Sequence, residues 1–451
     1  MADDLALDTR NAAPGVTQAL ADRVAAMRFE DLTPEAVTVA KQCLLDWLGC
    51  ALAGRDEPLV RILREAFPDE AGGCSLVGQG RRARPDDAVL VNGAMGHALD
   101  FDDVIMHMGH PTVPVAPVVF ALAEPSGASG AEALTAFVAG VEAECRVAKL
   151  MGPSHYAKGW HTTATVGTFG AAAAACHLLG VEGEALAHAY GLAGTQAAGL
   201  KSVFGTMAKP LHPGKAAQSG LLAARLAAAG FTSDTDILTS KQGFADTQSS
   251  AARAEAGLAE RDQPWVVEAL FKYHAACYLT HASIEAAGQL RRDNELEVAA
   301  IEAVTVAVNP GHLGVCDIEE PRTGLECKFS LRMTTALALA GEDTFQDALF
   351  TDSLAARDDL VALRRKVQVA PTEAGQASTV MVRLTDGREL TAVGDVSMPV
   401  RDLAAQQANI ERKFRHLASE ALAPDAVEQV IAICRDLEHQ PTLRPLIELV
   451  R

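Results

Sequence analysis

The sequence predicts a mainly α-helical protein with a large all-helical domain and a smaller α+β domain. Alanine-rich segments with apolar residues at helical spacing occupy the first part of the chain, and strand-like segments begin only after residue 265. Apolar residues make up 49% of the chain but aromatic residues only 5%, which favours closely packed helices over a sheet sandwich. We expect a helical domain at 1–265, an α+β domain at 266–397, and C-terminal helices at 398–451 that return to the helical domain.

The helices of the first domain have recognisable ends. Thr33-Pro34-Glu35 is typical of a helix start, with a hydroxyl N-cap followed by proline at the first helical position. Glycines such as Gly180 and Gly230 close several apolar blocks, as helix C-termini prefer. The predicted helical blocks are 37–52, 115–124, 131–151, 164–179, 183–200 and 214–229.

The second domain is predicted from a change of pattern. Asp386-Gly387 favours a tight hairpin turn between two apolar segments. After Pro399 the pattern is helical again. The predicted strands are 304–308, 366–369, 379–384 and 389–393, and the predicted helices among them are 280–293 and 328–340.

The charge of the chain excludes several partners. The formal net charge is −19, from 39 Lys+Arg and 58 Asp+Glu, and such a surface repels nucleic acid and anionic lipid. No uninterrupted apolar run reaches the roughly eighteen residues of a membrane span. The start at Met1–Asp4 is acidic where a signal peptide would be basic. Nine cysteines without a Cys-x-x-Cys pair predict reduced thiols in a cytoplasmic protein.

One stretch of this acidic chain is basic. Between Cys145 and Ser233 the only acids are Glu182 and Glu184. A basic region of this kind is a plausible receptor for an anionic small molecule, although a helical core that merely excludes acids would look similar. The stretch contains seven cations and five histidines, namely Arg146, Lys149, Lys158, Lys201, Lys209, Lys215, Arg225, His155, His161, His177, His188 and His212.

An acidic segment, Asp100–Asp103, stands beside His107 and His110. It allows a metal site, but no second well-spaced set of ligands supports one. A magnesium clamp of helical terpenoid synthases would need an acid where Met106 stands. The third interpretation is acid–base chemistry in which a carboxylate orients an imidazole. A solvated loop is the remaining alternative.

Two further segments carry convergent polar groups. Residues 154–165 suit a loop entering a helix N-terminus, where backbone N–H groups favour an anion. Residues 205–215 contain two prolines and two glycines and predict a rigid loop, with Lys209 extended because it precedes Pro210. Nucleotide-binding and serine-hydrolase motifs are absent from the sequence.

With these residues assembled, the chain resembles the MmgE/PrpD family, which includes 2-methylcitrate dehydratases, cis-aconitate decarboxylases and the iminodisuccinate epimerase. The order and rough spacing of the motifs hold along nearly the whole chain. The motifs are NGAMGHALDFDD from Asn92, HPT from His110, GWHTTAT from Gly159, GTMAKPLHPGKAA from Gly205, GFTS from Gly230, FKY from Phe271, PRT from Pro321 and KFS from Lys328.

The resemblance implies a large helical domain, a smaller α+β lid domain and a homodimer, with neither cofactor nor metal ion. It places the candidate catalytic residues in a cleft between the domains. These are His110, His161, Lys209, Lys272 and Asp100, and Tyr156 is a further candidate catalytic residue. The candidate substrate-binding residues are Thr162, Thr206, Met207, His212, Tyr273 and Arg322.

The implied chemistry removes a proton next to a carboxylate of a small di- or tricarboxylic acid. Such a step needs fixed positive charge, for which Lys209 and Lys272 are candidates. Crowding or burial is expected to lower a lysine pKa, which would let one lysine act as the base. His110 and His161 are the expected acid–base pair, and Asp100 is expected to orient His110 or a lysine.

Three reactions remain open, with a dehydratase-like lyase preferred. Tyr156 is closest to the pattern of the epimerase, which makes an isomerase the alternative. Val104 stands where the decarboxylases have threonine, and Cys277 stands where they carry histidine, so both argue against decarboxylation. A non-catalytic carboxylate-binding protein is a remote alternative. We expect His97, His177 and His188 to be structural.

Overall fold

The computed structural model describes residues 15–372, 375 and 377–451, so the acidic start at Met1–Asp4 lies outside the described residues. The chain is mainly α-helical, as predicted, and forms two compact units. The first contains residues 15–98, His107–Val267 and Ala421–Arg451. The second contains Leu99–Met106 and Glu268–Glu420.

The first unit is helical apart from a short hairpin of two strands, Cys74–Leu76 and Arg81–Ala83. Its helices are Val16–Ala25, Pro34–Gly54, Pro58–Ala66, Pro85–Gly96, Thr112–Ser126, Gly130–Met151, Pro153–Ala157, Thr162–Thr165, Gly167–Leu179, Gly183–Gly194, Ala208–Ala228, Phe244–Gln248, Ala254–Leu258, Pro424–Arg435 and Arg444–Val450.

The N-terminal cap predicted at Thr33 is confirmed, because its hydroxyl accepts a hydrogen bond from the Ala36 backbone N–H at 3.2 Å. The helix Pro34–Gly54 that follows is, among the described residues, the one that length and composition would allow to cross a membrane. In its most apolar window, 83% of the residues are buried inside the protein. That burial is typical of a core helix.

Small residues let the central helices pack closely. A Cβ atom on Gly93 would lie only 2.6 Å from the Gly214 Cα atom, so the helices Pro85–Gly96 and Ala208–Ala228 touch along their backbones. A Cβ atom on Gly220 would lie 2.5 Å from the Ala171 Cβ atom. This close packing brings residues near the ends of several helices together, and these residues form the site described below.

The prediction of a rigid loop at 205–215 is wrong for most of these residues, because a helix begins at Ala208. Lys209 is therefore helical rather than extended. Pro210 stands in the first turn, where its missing N–H would have had no helical partner, and Pro213 removes only one further hydrogen bond. The other predicted helices of this unit are present, although the block 183–200 ends at Gly194 and 164–179 is divided near Val166.

The second unit is built on a four-stranded sheet in the order Val367–Pro371, Ile301–Val308, Ser378–Leu384 and Glu389–Gly394. The first pair of strands is parallel and the other pairs are antiparallel. The predicted hairpin is confirmed, with Gly387 at a φ of 86° in its turn. The helices of this unit are His281–Asn294, Pro310–Cys316, Gly324–Lys328, Leu331–Ala340, Asp352–Ala355, Asp358–Arg364 and Leu403–Ala418.

The division into units differs from the expected one in two places. Residues 398–420 lie in the second unit, and only the helices after Ala421 return to the first. The helix Leu403–Ala418 buries Ile410 and Phe414, and its Lys413 donates a hydrogen bond to the Phe101 carbonyl oxygen. The segment Leu99–Met106 also belongs to the second unit, although the sequence on both sides of it belongs to the first.

Candidate functional site

Four histidines of the first unit form an imidazole cluster, which we define as His97, His110, His161 and His212. The ring centroids of His97 and His110 are 4.4 Å apart, and those of His97 and His161 are 6.4 Å apart. The ring centroids of His161 and His212 are 5.1 Å apart. The first three rings are buried, and His161 is only 4% exposed.

Different elements position the imidazole cluster. His97 follows directly after the helix Pro85–Gly96, and His161 is the N-cap residue of Thr162–Thr165. The His161 backbone N–H donates to the Gly199 carbonyl oxygen at 3.0 Å. The His110 backbone N–H donates to the Thr163 hydroxyl oxygen at 3.1 Å. These bonds fix the segments that carry His110 and His161 relative to each other.

The glycine before His110 allows this contact with Thr163. Gly109 has a φ of 100°, in the region that favours glycine, and a Cβ atom there would lie 2.6 Å from the Thr163 hydroxyl oxygen. Thr163 was not among the residues predicted from the sequence. Its predicted neighbour Thr162 is buried in the same short helix.

His161 and His212 are joined by a hydrogen bond of 2.9 Å between their Nδ1 atoms. Because a neutral imidazole carries one N–H, one ring donates through Nδ1 and the other accepts there. Burial lowers the pKa of His161 far below its ordinary value, and the neighbouring His97, Lys209 and His110 lower it further. Burial, His97 and Lys209 also lower the pKa of His212. Both rings are therefore neutral near pH 7.

A cation stands beside the imidazole cluster. The Lys209 ammonium lies 5.6 Å from the ring centroid of Phe204, and that ring is 4.9 Å from the ring of His161. Lys209 occupies the first turn of the helix Ala208–Ala228, next to its backbone N–H groups. The arrangement can hold an anion close to neutral imidazoles.

Three other predicted residues of the first unit have local roles in the structure. The Thr206 hydroxyl accepts from the Ala208 backbone N–H at 3.2 Å just before the helix, and Met207 is 51% exposed. Tyr156 is 46% exposed, with the Lys201 ammonium 3.4 Å above its ring centroid. Lys201, whose pKa burial lowers, was not predicted as a partner of Tyr156.

The second unit contains an ion pair of candidate residues, Lys272 and Asp100. The Lys272 ammonium donates to the Asp100 carbonyl oxygen at 2.5 Å and to its carboxylate at 3.0 Å. This ion pair is a contact through which Asp100 could orient a lysine, and the orienting role itself stays a prediction. Asp100 has a φ of 52°, which is uncommon for a residue other than glycine.

The expectation of a lowered lysine pKa is wrong for Lys272. Burial alone would lower its pKa, but the Asp100 and Asp102 carboxylates and the hydrogen bond to Asp100 raise the pKa above its ordinary value. That expectation rested on crowding by cations and on burial, and it did not apply the expected contact with Asp100 to the lysine pKa. Lys272 is therefore held protonated, which argues against the interpretation of this lysine as a base.

The remaining two predicted residues lie elsewhere in the second unit. The Tyr273 ring stacks on the Phe345 ring, with 5.9 Å between centroids. Arg322 is exposed, and its backbone N–H donates to the Glu326 carboxylate at 2.5 Å. The expectation that a single cleft between the domains holds all the candidate residues stays a prediction.

Sequence reasoning did not place His97 in the imidazole cluster or Lys413 beside the acidic segment. His97 lies within the motif that begins at Asn92, and its position directly after a glycine-rich helix end was a signal that it could face a site. We expected His97 to be structural because we placed it on an apolar helix, whereas it follows directly after the helix end. Lys413 gave no signal, because the segment that carries it was assigned to the first domain.

Comparisons with known proteins extend over nearly the whole chain. Residues 18–256 match the MmgE/PrpD N-terminal domain, and residues 274–439 match the MmgE/PrpD C-terminal domain. Cis-aconitate decarboxylase of Aspergillus terreus (strain NIH 2624 / FGSC A1156) is 27% identical, over 98% of this chain and 96% of its own. The cis-aconitate decarboxylase of Homo sapiens is 27% identical, over 94% of this chain and 92% of its own length. The cis-aconitate decarboxylase of Mus musculus is also 27% identical, over 97% of this chain and 93% of its own length.

The family domains together cover far more than half of the chain, and each falls mainly within one of the structural units. The relatives named above are enzymes, and decarboxylases are lyases. The chain belongs to the MmgE/PrpD family.

Proposed function

We propose that this protein is an acid–base lyase that acts next to a carboxylate of a small di- or tricarboxylic acid. The observation that carries the proposal is the pair of buried His161 and half-buried His212, joined at 2.9 Å and next to Lys209. Neutral imidazoles provide proton acceptors, and a neighbouring ammonium provides attraction for an anion. The combination suits proton transfer on a carboxylate substrate.

Fixed positive charge is the first requirement of this chemistry. Removing a proton or carbon dioxide from the carbon next to a carboxylate leaves an electron pair that delocalises into that carboxylate. Ammonium groups held in place stabilise the developing charge without reorganising. In the proposal, Lys209 supplies this charge. Lys272, held protonated by Asp100, is a second candidate source of fixed charge.

Proton transfer is the second requirement. An imidazole with a strongly lowered pKa is a weak base, but a bound polycarboxylate raises the pKa of a nearby imidazole because its negative charge stabilises imidazolium. The substrate would thereby prepare His161 to accept a proton, while His212 fixes its tautomer through the Nδ1 hydrogen bond. His110 is the opposed acid–base group in this proposal, and Tyr156 is a further candidate.

The names of the relatives favour cis-aconitate as the first substrate to test. In a decarboxylation the bond to the leaving carboxylate breaks, carbon dioxide departs, and imidazolium protonates the carbon that keeps the electron pair. The departures at Val104 and Cys277 favour instead a dehydratase acting on 2-methylcitrate, or an epimerase. In dehydration, one group takes the α-proton and another protonates the departing hydroxyl.

A substrate panel distinguishes these reactions. The purified chain is incubated in deuterated water with cis-aconitate, 2-methylcitrate, citrate and iminodisuccinate and followed by proton NMR. Carbon dioxide release indicates a decarboxylase, loss of water a dehydratase, and exchange of the α-proton without net conversion an epimerase. Binding of these acids with neither exchange nor conversion would contradict the proposal and indicate a carboxylate-binding protein.

Two properties suggested by the sequence remain proposals. We propose a homodimer, which light scattering of the purified chain tests through its molar mass. We also propose a cytoplasmic location, because the nine cysteines include no Cys-x-x-Cys pair, which is typical of reduced thiols. Fractionation of the producing cells tests this location.

A further inference from the structure

Three attachments help to hold Leu99–Met106, which contains the acidic segment Asp100–Asp103, in the second unit. Val104 and Leu270 exchange backbone hydrogen bonds of 2.9 and 2.8 Å. Lys272 donates to the Asp100 carbonyl oxygen at 2.5 Å. Lys413 donates to the Phe101 carbonyl oxygen at 2.7 Å. Two successive carbonyl groups thus each accept a hydrogen bond from a buried ammonium.

Lys413 is almost fully enclosed, with 1% of its surface exposed. Its ammonium also lies 4.0 Å from the ring centroid of Phe101, so charge, ring and carbonyl meet at one residue of the segment. A buried ammonium is costly unless it is hydrogen-bonded. The hydrogen bond to Phe101 therefore ties the helix Leu403–Ala418 to the acidic segment.

The backbone at Asp100 needs such support. Its φ of 52° is a left-handed conformation that few residues other than glycine adopt, and such conformations persist only where the surroundings hold them. The Asp100 side chain is 49% exposed while that of Lys272 is 4% exposed. The Asp100 carboxylate is therefore partly in solvent, while its partner, the Lys272 ammonium, is buried. The orientation of this carboxylate depends on the backbone of residues 100 and 101.

We propose that Lys413 is a positioning residue, which holds the Phe101 carbonyl group and thereby keeps the Asp100 carboxylate aligned with the Lys272 ammonium. The expected effect of Lys413 on turnover rests on the proposed function, whereas its expected effect on the backbone of the acidic segment is independent of that function. Lys413 acts through Asp100 and Lys272 and has no contact with substrate in this account.

The test replaces the ammonium and keeps most of the apolar stem, as Lys413→Met. Backbone amide hydrogen exchange of the full chain, read by mass spectrometry, is expected to accelerate in the peptides covering 99–106 and to stay unchanged in the strand Ile301–Val308. With an active substrate, kcat is expected to fall about 10- to 100-fold with KM within about threefold, because misplacement of about 1 Å has effects of that size.

The matched control is Ile410→Ala on the same helix. Ile410 is fully buried, so the change destabilises the second unit while leaving both lysines and the acidic segment unaltered. Well below its melting temperature, this variant is expected to keep wild-type kcat and wild-type exchange at 99–106. If Lys413→Met does not fold, Lys413→Gln, which retains a neutral donor, is measured instead and is expected to show smaller changes in the same direction.

Unchanged exchange at 99–106 in a folded Lys413 variant overturns the proposal. A kcat loss that Ile410→Ala reproduces also overturns it, because general destabilisation would then explain the effect. If the wild-type chain converts none of the acids tested, the proposed function fails while the exchange experiment still decides the role of Lys413. If neither lysine variant folds, the wild-type chain must show slower exchange at 101–103 than at the neighbouring exposed Met106, and equal rates contradict the proposal.

Discussion

The two units bury ionisable groups with opposite consequences. In the first unit, burial and neighbouring histidines and Lys209 lower the pKa of His161, so the ring is neutral. In the second unit, Lys272 is equally buried, but the Asp100 and Asp102 carboxylates raise its pKa, so the side chain stays charged. The comparison teaches that partners, rather than depth of burial, decide the charge of a buried group.

This difference gives the two kinds of buried group different proposed roles. Neutral imidazoles can accept and return protons, whereas a lysine held protonated by carboxylates can only contribute a fixed charge. The variants below test the division by removing one kind of group at a time, with a control from the same unit.

The largest effect is expected for His161→Gln. Loss of a positioned acid–base group reduces kcat by about 10²- to 10⁴-fold, while the amide retains a hydrogen-bonding partner for His212. Steady-state kinetics on the active acid of the panel measures the loss. His177→Gln is the control, because His177 is a histidine of the same unit outside the imidazole cluster, bonded to the Met27 carbonyl oxygen. Equal activity of the two variants would contradict the role of His161.

A somewhat smaller effect is expected for Lys209→Met. Removing one group that stabilises the developing charge costs about 10²- to 10³-fold in kcat. Lys215→Met is the matched control on the same helix, since Lys215 is exposed and hydrogen-bonded to Gln218. The kinetics of both variants are compared at the same pH and ionic strength. Wild-type turnover in Lys209→Met would show that this ammonium is dispensable.

The fixed charge of Lys272 is tested through Asp100→Asn. Removing this carboxylate takes away one of the groups that raise the pKa of Lys272, so the buried ammonium is less well stabilised. We expect the free energy of unfolding to fall by about 1 to 3 kcal/mol, measured by urea denaturation at pH 7. Glu302→Gln, at an exposed pair with Arg383 in the same unit, is the control and should change stability little. Equal effects would contradict the importance of the pair.

The pH dependence of stability tests the neutral state of His161. Its folded pKa lies below its unfolded value near 6.5, so the unfolded chain binds the proton more readily and stability falls as the pH drops below about 6.5. Between pH 7.5 and 5.0, wild-type protein is expected to lose about 1 to 2 kcal/mol more than His161→Gln. Equal losses in the two proteins would be inconsistent with a neutral His161.

Removal of metal ions is expected to have the smallest effect on activity. In the proposal, ammonium groups supply the positive charge, so dialysis against a chelator should leave kcat/KM unchanged. A loss of activity that returns on adding a divalent ion would instead support the metal interpretation of the acidic segment and its histidines.

Much of the fold was predictable because helical spacing, caps and the Asp-Gly turn are local signals. Of the candidate residues, the structure gathers His110, His161 and His212 with His97 and places Lys209 close by, while their roles stay predictions. The prolines misled the prediction at 208–215, because proline is tolerated in a first helical turn. The location of Lys413 and the raised pKa of Lys272 depend on partners distant in sequence, which local patterns do not reveal.

The most direct test is nitrogen-15 NMR of the histidine rings, with His161 assigned from the His161→Gln spectrum. The account predicts that the His161 ring stays neutral from pH 8 down to pH 5 in the substrate-free protein, with one of its nitrogens protonated. A His161 ring that titrates near pH 6.5, as an exposed histidine does, would contradict it.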